Sequence, residues 1–355
     1  MFGALIRVAL LGGALLGGAL LGGALQGCGY RLGRIEVSYG DATPLALVQP
    51  STDTRRWYVP VYSDTLGPHL FFVDTGYDYT TCDDDLIAGL GLETRGRVHI
   101  RGELGKVRAT KARLPPLELG GHRIGEIVCH VRDLNSTSSI GDPDEVPIAG
   151  VIGMDVLSQF RAAFDPRAGI LTLQDPATVP RLARGDLGVA PLRSPLVGRR
   201  VRMALEIDGQ RLWPILDTGA TNTYIDGARI GLEPSYKLDG VTLRGTGNNG
   251  STIRSVSYFE IENVTVGGLR TAPITLMDRD RRWWQPGLLG LDLLARFHQD
   301  YDFHRGRVRL TPTHPQPLPQ WQEWPELSPG GVAGRLMDAG PSPANPALGS
   351  PEVSL

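Results

Sequence analysis

The chain repeats itself, and that repetition limits its fold more than any other feature. "VYSDTLGPHLFFVDTGYDYT" (Val61 to Thr80) is answered by "LEIDGQRLWPILDTGATNT" (Leu205 to Thr223). Each reads as strand, turn, strand, then Asp-Thr-Gly, and Asp208-Gly209 between alternating runs is a hairpin signal. "PLELGGHRIGEIVCHVRD" is matched by "EIENVTVGGLRTAPITLMD". "IAGVIGMDVLSQFRAAFDPRAGILTL" is matched by "QPGLLGLDLLARFHQDYDFHRGRVRL". Asp217 − Asp74 is 143, whereas Gly290 − Gly153, Phe297 − Phe160 and Asp302 − Asp165 are each 137, so the closing blocks superpose without gaps. A period this long means two copies of one domain and excludes a solenoid of short repeats.

Each copy reads as short strands punctuated by turns, with one short helix, "MDVLSQF" or "LDLLARF", whose apolar residues recur at i, i+3 and i+4. Asp155 and Asp292 sit near the helix start, where a carboxylate suits the helix dipole, so a capping role is expected for both. The chain has 46 Gly and 27 Pro, which favours strands and turns over long helices. Its net charge of −2 supplies no basic excess to neutralise phosphates, which argues against a nucleic-acid partner.

The boundaries expected are residues 28–56 for an N-terminal linker with the first strands, 57–180 for the first lobe, 181–198 for an interlobe linker and 199–312 for the second lobe. Residues 313–355, rich in Pro, Ser and Gly, read as a mostly disordered tail, with Trp321 and Trp324 able to tack its start onto the body. Residues 1–27 read as a secretory signal: Arg7, an apolar stretch, then small residues. "LQGC" ending at Cys28 resembles a bacterial lipoprotein signal, which implies a lipid on Cys28 and residence in the cell envelope, facing the periplasm. Gly29 behind that cysteine leans toward the outer membrane in the same pattern. An uncleaved membrane helix is the competing reading, weakened by the repeated Gly pairs. With Cys28 lipidated, Cys82 and Cys129 remain for one disulfide in an oxidising compartment, or stand as two buried thiols.

Residues 57 to 310 resemble the retropepsin-like aspartic peptidases, the fold of retroviral proteases and of each lobe of pepsin-like enzymes. Three marks carry the resemblance. Asp-Thr-Gly follows apolar residues at Asp74-Thr75-Gly76 and at Asp217-Thr218-Gly219. Glycine-bearing flap hairpins follow, around Gly102 to Gly105 and Gly245 to Gly250. Two apolar residues and Gly then lead into the helix, at Val151-Ile152-Gly153 and Leu288-Leu289-Gly290. The resemblance implies an all-β fold of two lobes related by pseudo-twofold symmetry.

That fold would bring Asp74 and Asp217 together. Two carboxylates held close share one proton, so the charged one can deprotonate a water while the neutral one hydrogen-bonds the peptide carbonyl. No metal, cofactor or covalent intermediate is required. By the resemblance, Thr75 and Thr218 bond across the lobe interface, and Gly76 and Gly219 give the tight turn that exposes the acids. The family prefers a small residue after the Gly: Ala220 conforms, whereas Tyr77 narrows the cleft, hydrogen-bonds into it or blocks the dyad. Asp78 stands where retroviral enzymes bind substrate backbone. Trp283 or Trp284, in the loop before the second Gly mark, would line a substrate pocket, pack internally or touch a membrane surface.

The function implied is an envelope-anchored aspartic endopeptidase acting on peptides or proteins. Its rivals are an inactive peptide-binding lipoprotein and a structural envelope lipoprotein. A monomer with intramolecular lobe pairing is expected, against a homodimer that joins two copies of Asp217. Gly245-Thr-Gly247-Asn-Asn-Gly250 fits G-x-G-x-x-G but runs into a strand-like segment, which excludes a dinucleotide loop. His122 and the Cys129-His130 pair lack zinc spacing.

Overall fold

The structure, a computed structural model, describes residues 35–49, 56–63, 67–102, 105–135, 147–194, 198–244, 251–278 and 287–313. The signal segment, Cys28, the second flap tip at 245–250, Trp283, Trp284 and the Pro-rich tail lie outside the described residues. Strands dominate throughout, in sheets of ten, thirteen and four strands. The all-β class is therefore what the residues form.

The strand His69–Val73 shows why. Phe71 and Val73 enter the main core, while Leu70 and Phe72 join a second apolar cluster on the other face. Alternation with period two places successive side chains on opposite faces, and here both faces are covered. This strand runs parallel to Gly150–Ile152, which supplies the first Gly mark. The strand Ile215–Leu216 runs parallel to Leu288–Leu289 in the same way. Each acid thus ends a strand that is clamped against the segment leading to its helix. The helices are Met154–Leu157 and Leu291–Leu294.

The lobes share a sheet. Arg161–Asp165 pairs antiparallel with Phe297–Asp302, with Ala162 opposite Tyr301, Ala163 opposite Asp300 and Phe164 opposite Gln299. Ala163 and Asp300 are related by the 137-residue offset, and so are Ala162 with Gln299 and Phe164 with Tyr301. The register is consequently reciprocal: Ala163 faces its own counterpart, and Ala162 and Phe164 each face the counterpart of the other, the pattern of a self-complementary interface. The buried Arg161 guanidinium pairs with Asp300 and, at 3.4 Å, with Asp302. Trp57 stacks on Phe164 at 5.1 Å between centroids, and Phe164 meets Tyr301 edge-on at 5.9 Å.

Two expectations change. The stretch 181–198 is more than a linker, because Val189–Arg193 pairs with Arg307–Pro312 and extends the shared sheet. Its alternation of Val189, Ala190, Pro191 and Leu192 suits an edge of the core, with Ala190 and Leu192 buried. The first lobe also has a helix the repeat did not announce, Asp84–Gly89. Its N-cap, Asp83, accepts from Asp85 N and from Leu134 N, tying the helix to the turn after the strand Ile127–Val131. In the second lobe the corresponding place holds only the 3-10 turn Ala228–Ile230. The repeated helix signal is at Met154 and Leu291; the extra helix starts at an Asp cap and packs Leu86, Ile87 and Leu90 on the core. Cys82 and Cys129 are joined by a disulfide inside the first core.

Candidate active site

Asp74 and Asp217 meet. Asp74 N donates to Ile152 O at 3.0 Å and Asp217 N to Leu289 O at 3.0 Å, which fixes each acid at a strand end. Gly76 N donates to Asp74 Oδ1 at 2.7 Å, and Gly219 N to Asp217 Oδ1 at 2.9 Å. Both acids are almost fully buried, and their side chains hydrogen-bond to each other. The glycines are needed here for space. A Cβ on Gly76 would fall onto the Asp217 carboxyl, and one on Gly219 onto the Asp74 carboxyl.

The threonines bind the two loops reciprocally. Thr75 N donates to Thr218 Oγ1 at 3.1 Å, and Thr218 N to Thr75 Oγ1 at 3.0 Å. Each hydroxyl then donates across the interface, Thr75 Oγ1 to Leu216 O at 3.0 Å and Thr218 Oγ1 to Val73 O at 2.8 Å. All four polar groups are buried and satisfied, so shifting one loop against the other would orphan several of them.

Burial, followed by the neighbouring Asp217 charge, holds the Asp74 carboxyl well above its ordinary range. The Gly76 N–H opposes this by favouring the charged form. The two acids therefore titrate as a pair that holds one proton and one negative charge. That is the protonation state general acid–base attack by water requires.

Two residues that hold this site were not singled out in the sequence. Thr80 N and Thr80 Oγ1 both donate to Asp155 Oδ1, each at 2.8 Å, and Thr80 Oγ1 accepts from Gly153 N at 3.3 Å. Thr223 does the same in the second lobe, donating from N to Asp292 Oδ2 at 2.8 Å and from Oγ1 to Asp292 Oδ1 at 2.5 Å. Asp155 and Asp292 also accept from Val156 N and Leu293 N, so they do serve their helix starts. Their larger task is to lock the acid loop onto the helix. Burial raises both of their pKa values, and the threonine bonds oppose that rise. The available signal was spacing: Thr80 and Thr223 each follow their acid by six positions.

Asp78 anchors the start of the second lobe: its Oδ1 accepts from Arg199 N at 2.5 Å and from Arg200 N at 3.2 Å, and its Oδ2 lies 3.3 Å from Arg200 Nε. The acid was legible; its partner, 121 positions away, was not.

Tyr77 leaves the backbone undisturbed. Tyr77 N donates to Asp74 O at 3.3 Å and Met154 N donates to Tyr77 O at 2.8 Å. Ala220 makes the same two bonds, with Asp217 O at 3.2 Å and from Leu291 N at 2.8 Å. The Tyr77 ring packs on the second cluster of the first lobe, which includes Tyr58, Phe72 and Val151. Among the described residues, Asp83, Asp84 and Asp133 have carboxylate oxygens within 4.8 Å of one another, but Asp83 is already committed as a helix cap.

Residues 59–156 match the family model described as aspartyl protease. No curated protein matches the chain.

Proposed function

We propose that the protein is an aspartic endopeptidase in which Asp74 and Asp217, one from each repeat, activate a water between them for attack on a peptide bond. The observation that carries this reading is the mutual hydrogen bond of two buried acids, with Asp74 pushed toward its protonated form. The neutral acid hydrogen-bonds the carbonyl oxygen, and the charged one takes the proton of the attacking water. As the tetrahedral intermediate collapses, the leaving amine receives a proton from the pair, which returns to one proton and one charge. Extended peptide is held through backbone hydrogen bonds beneath the flap hairpins.

Lipidation of Cys28 and residence at the envelope, on the periplasmic side of the outer membrane, complete the proposal; their support is the "LQGC" signal alone. No helix among the described residues is long and apolar enough to cross a membrane. The test is incubation of wild type and Asp217→Asn with an unfolded protein from acidic to neutral pH. Cleavage by wild type and none by the variant supports an enzyme. Cleavage by neither would leave the peptide-binding reading, for which Tyr77 in the cleft wall is the motive. Metabolic labelling with palmitate, compared with Cys28→Ser, checks the anchor.

A further inference from the structure

The cleft has two walls, and they differ in chemistry. Strand alternation puts Asp74 on the same side of its strand as Phe72, because Phe71 and Val73 face the core. It puts Asp217 on the side of Ile215, because Leu216 faces the core. From Phe72 the hydrogen-bonded register runs outward through Val151, Thr81, His130, Lys111 and Arg95. From Ile215 it runs through Leu288, Tyr224, Met277, Tyr258 and Tyr236. The two series correspond strand for strand.

Beside the acids both walls are apolar: Phe72 and Val151 on one, Ile215 and Leu288 on the other. Farther out they part. Thr81, His130, Lys111 and Arg95 face Tyr224, Met277, Tyr258 and Tyr236. In the second lobe these side chains form a cluster with Val256 and Val241, and Tyr236 stacks on Tyr258 at 4.9 Å. Tyr236 and the neighbouring Leu238 are exposed, 41% and 48%. In the first lobe His130 is buried, and its Nε2 has no hydrogen-bond partner among the described residues. An orphaned buried ring nitrogen of this kind calls for a ligand group.

The hairpins that carry the outer ends of the walls repeat the contrast. Residues 95–114 hold seven Lys or Arg against one Glu, and residues 236–261 hold three against two acids. On the first hairpin Arg101 lies directly opposite Lys106, and His99 opposite Arg108, on the face away from Lys111. Burial and the nearby Lys111 lower the His130 pKa to about 4, so the ring is neutral over most of the working range.

We propose that the enzyme selects a two-sided peptide, with acidic or hydrogen-bonding side chains on the part held by His130 and Lys111, and aromatic or long apolar side chains on the part held by Tyr224, Met277 and Tyr258. This rests on the protease reading of the same site and adds to it the substrate class. Two identical lobes would prefer the same residues on both sides of the cut. These lobes offer a cationic, hydrogen-bonding wall and an aromatic one.

The test has two arms. In the first, wild type, Lys111→Glu, Lys111→Met and Tyr258→Ala digest a mixture of unfolded proteins, and the cut sites are read by mass spectrometry. Acidic residues should gather on one side of the cut and aromatic or apolar residues on the other. Lys111→Glu should lower kcat/KM for acidic peptides by about tenfold or more, with Lys111→Met between, and leave the apolar preference in place. Tyr258→Ala should relax the apolar side alone. The same preference on both sides, or a profile none of these variants alters, would overturn the proposal. In the second arm, Asp217→Asn is titrated with a fluorescein-labelled peptide, Glu-Glu-Ala-Phe-Leu-Phe, and with its Lys-Lys counterpart. Tighter binding of the acidic peptide supports the wall assignment even where wild type cuts nothing, a result that would sink the protease reading by itself. Equal binding overturns the assignment.

Discussion

The two lobes agree where the acids are held and disagree where a peptide would lie. Around the dyad the bonds come in matched pairs: Thr75 with Thr218, Gly76 with Gly219, Thr80 with Thr223, Asp155 with Asp292. Away from it, Lys111 corresponds to Tyr258 and His130 to Met277 by position in the ladder. The difference teaches which parts of the fold answer to chemistry common to both halves. A shared proton needs two equivalent acid loops. Side-chain recognition does not, and one chain encoding both lobes lets each wall change alone.

The most severe way to break the equivalence of the loops is to remove one acid. Asp74→Asn and Asp217→Asn should each lower the cleavage rate on the order of 10³-fold, measured on a fluorogenic peptide. A harmless Asp74→Asn would mean that the first lobe contributes no chemistry. Next come Gly76→Ala and Gly219→Ala, whose new methyl groups press on the opposite acid. Each should cost about 10²-fold in rate, since displacements of an ångström have that effect.

Thr80→Val and Thr223→Val sharpen the comparison through stability. Each removes a hydroxyl donor from a buried carboxylate, at a cost of roughly 1–3 kcal/mol in urea unfolding. Similar losses are expected in the two lobes, and a large inequality would show that only one lock matters. The smallest effect is assigned to Tyr77→Ala. Its backbone already matches Ala220, so turnover should change less than about fivefold, an estimate that treats the ring as wall packing. A gain of two orders of magnitude would show instead that the phenol obstructs the site.

The pH dependence follows from the direction of the shifts. Asp74, Asp155 and Asp292 are all raised above 3.8 in the folded chain. The folded state therefore binds more protons than the unfolded one between the ordinary and the raised values. Their stabilising contribution is complete below 3.8 and is lost as pH rises through each raised value. Asp83, raised to about 6, adds a loss in the same direction that finishes near that pH. His69 and His130, lowered to about 4, work the other way, losing stability as pH falls below about 6.5, so the acids' share is the part of the thermal-unfolding slope that a single acid substitution changes. Asp74→Asn should flatten part of the slope, and an unchanged slope would mean that the dyad proton is absent.

The repeat made the all-β class, the paired acids and the crossed threonines legible, because each appears twice in equivalent places. Thr80 and Thr223 were equally available, at constant distance from the acids, yet a lone threonine in a strand-like segment carries no chemical mark. Asp78 shows the opposite limit. Its local context resembles the family's substrate contact, and only the chain's return at Arg199 and Arg200 gives it another role. The strand Val189–Arg193 was hidden because its internal Pro191 cannot donate to a ladder and so reads as connection, although the strand is paired on both sides. The contrast between the walls lay in the letters all along, but it needed the cross-strand register to line up residues scattered over more than a hundred positions.

The sheet that joins the lobes has a kinetic consequence. Since Arg161–Asp165 and Phe297–Asp302 lie on one polypeptide, assembly of the acid pair is a first-order event. Dilution cannot separate the halves, and specific activity should stay level at concentrations where a two-chain protease would fall apart.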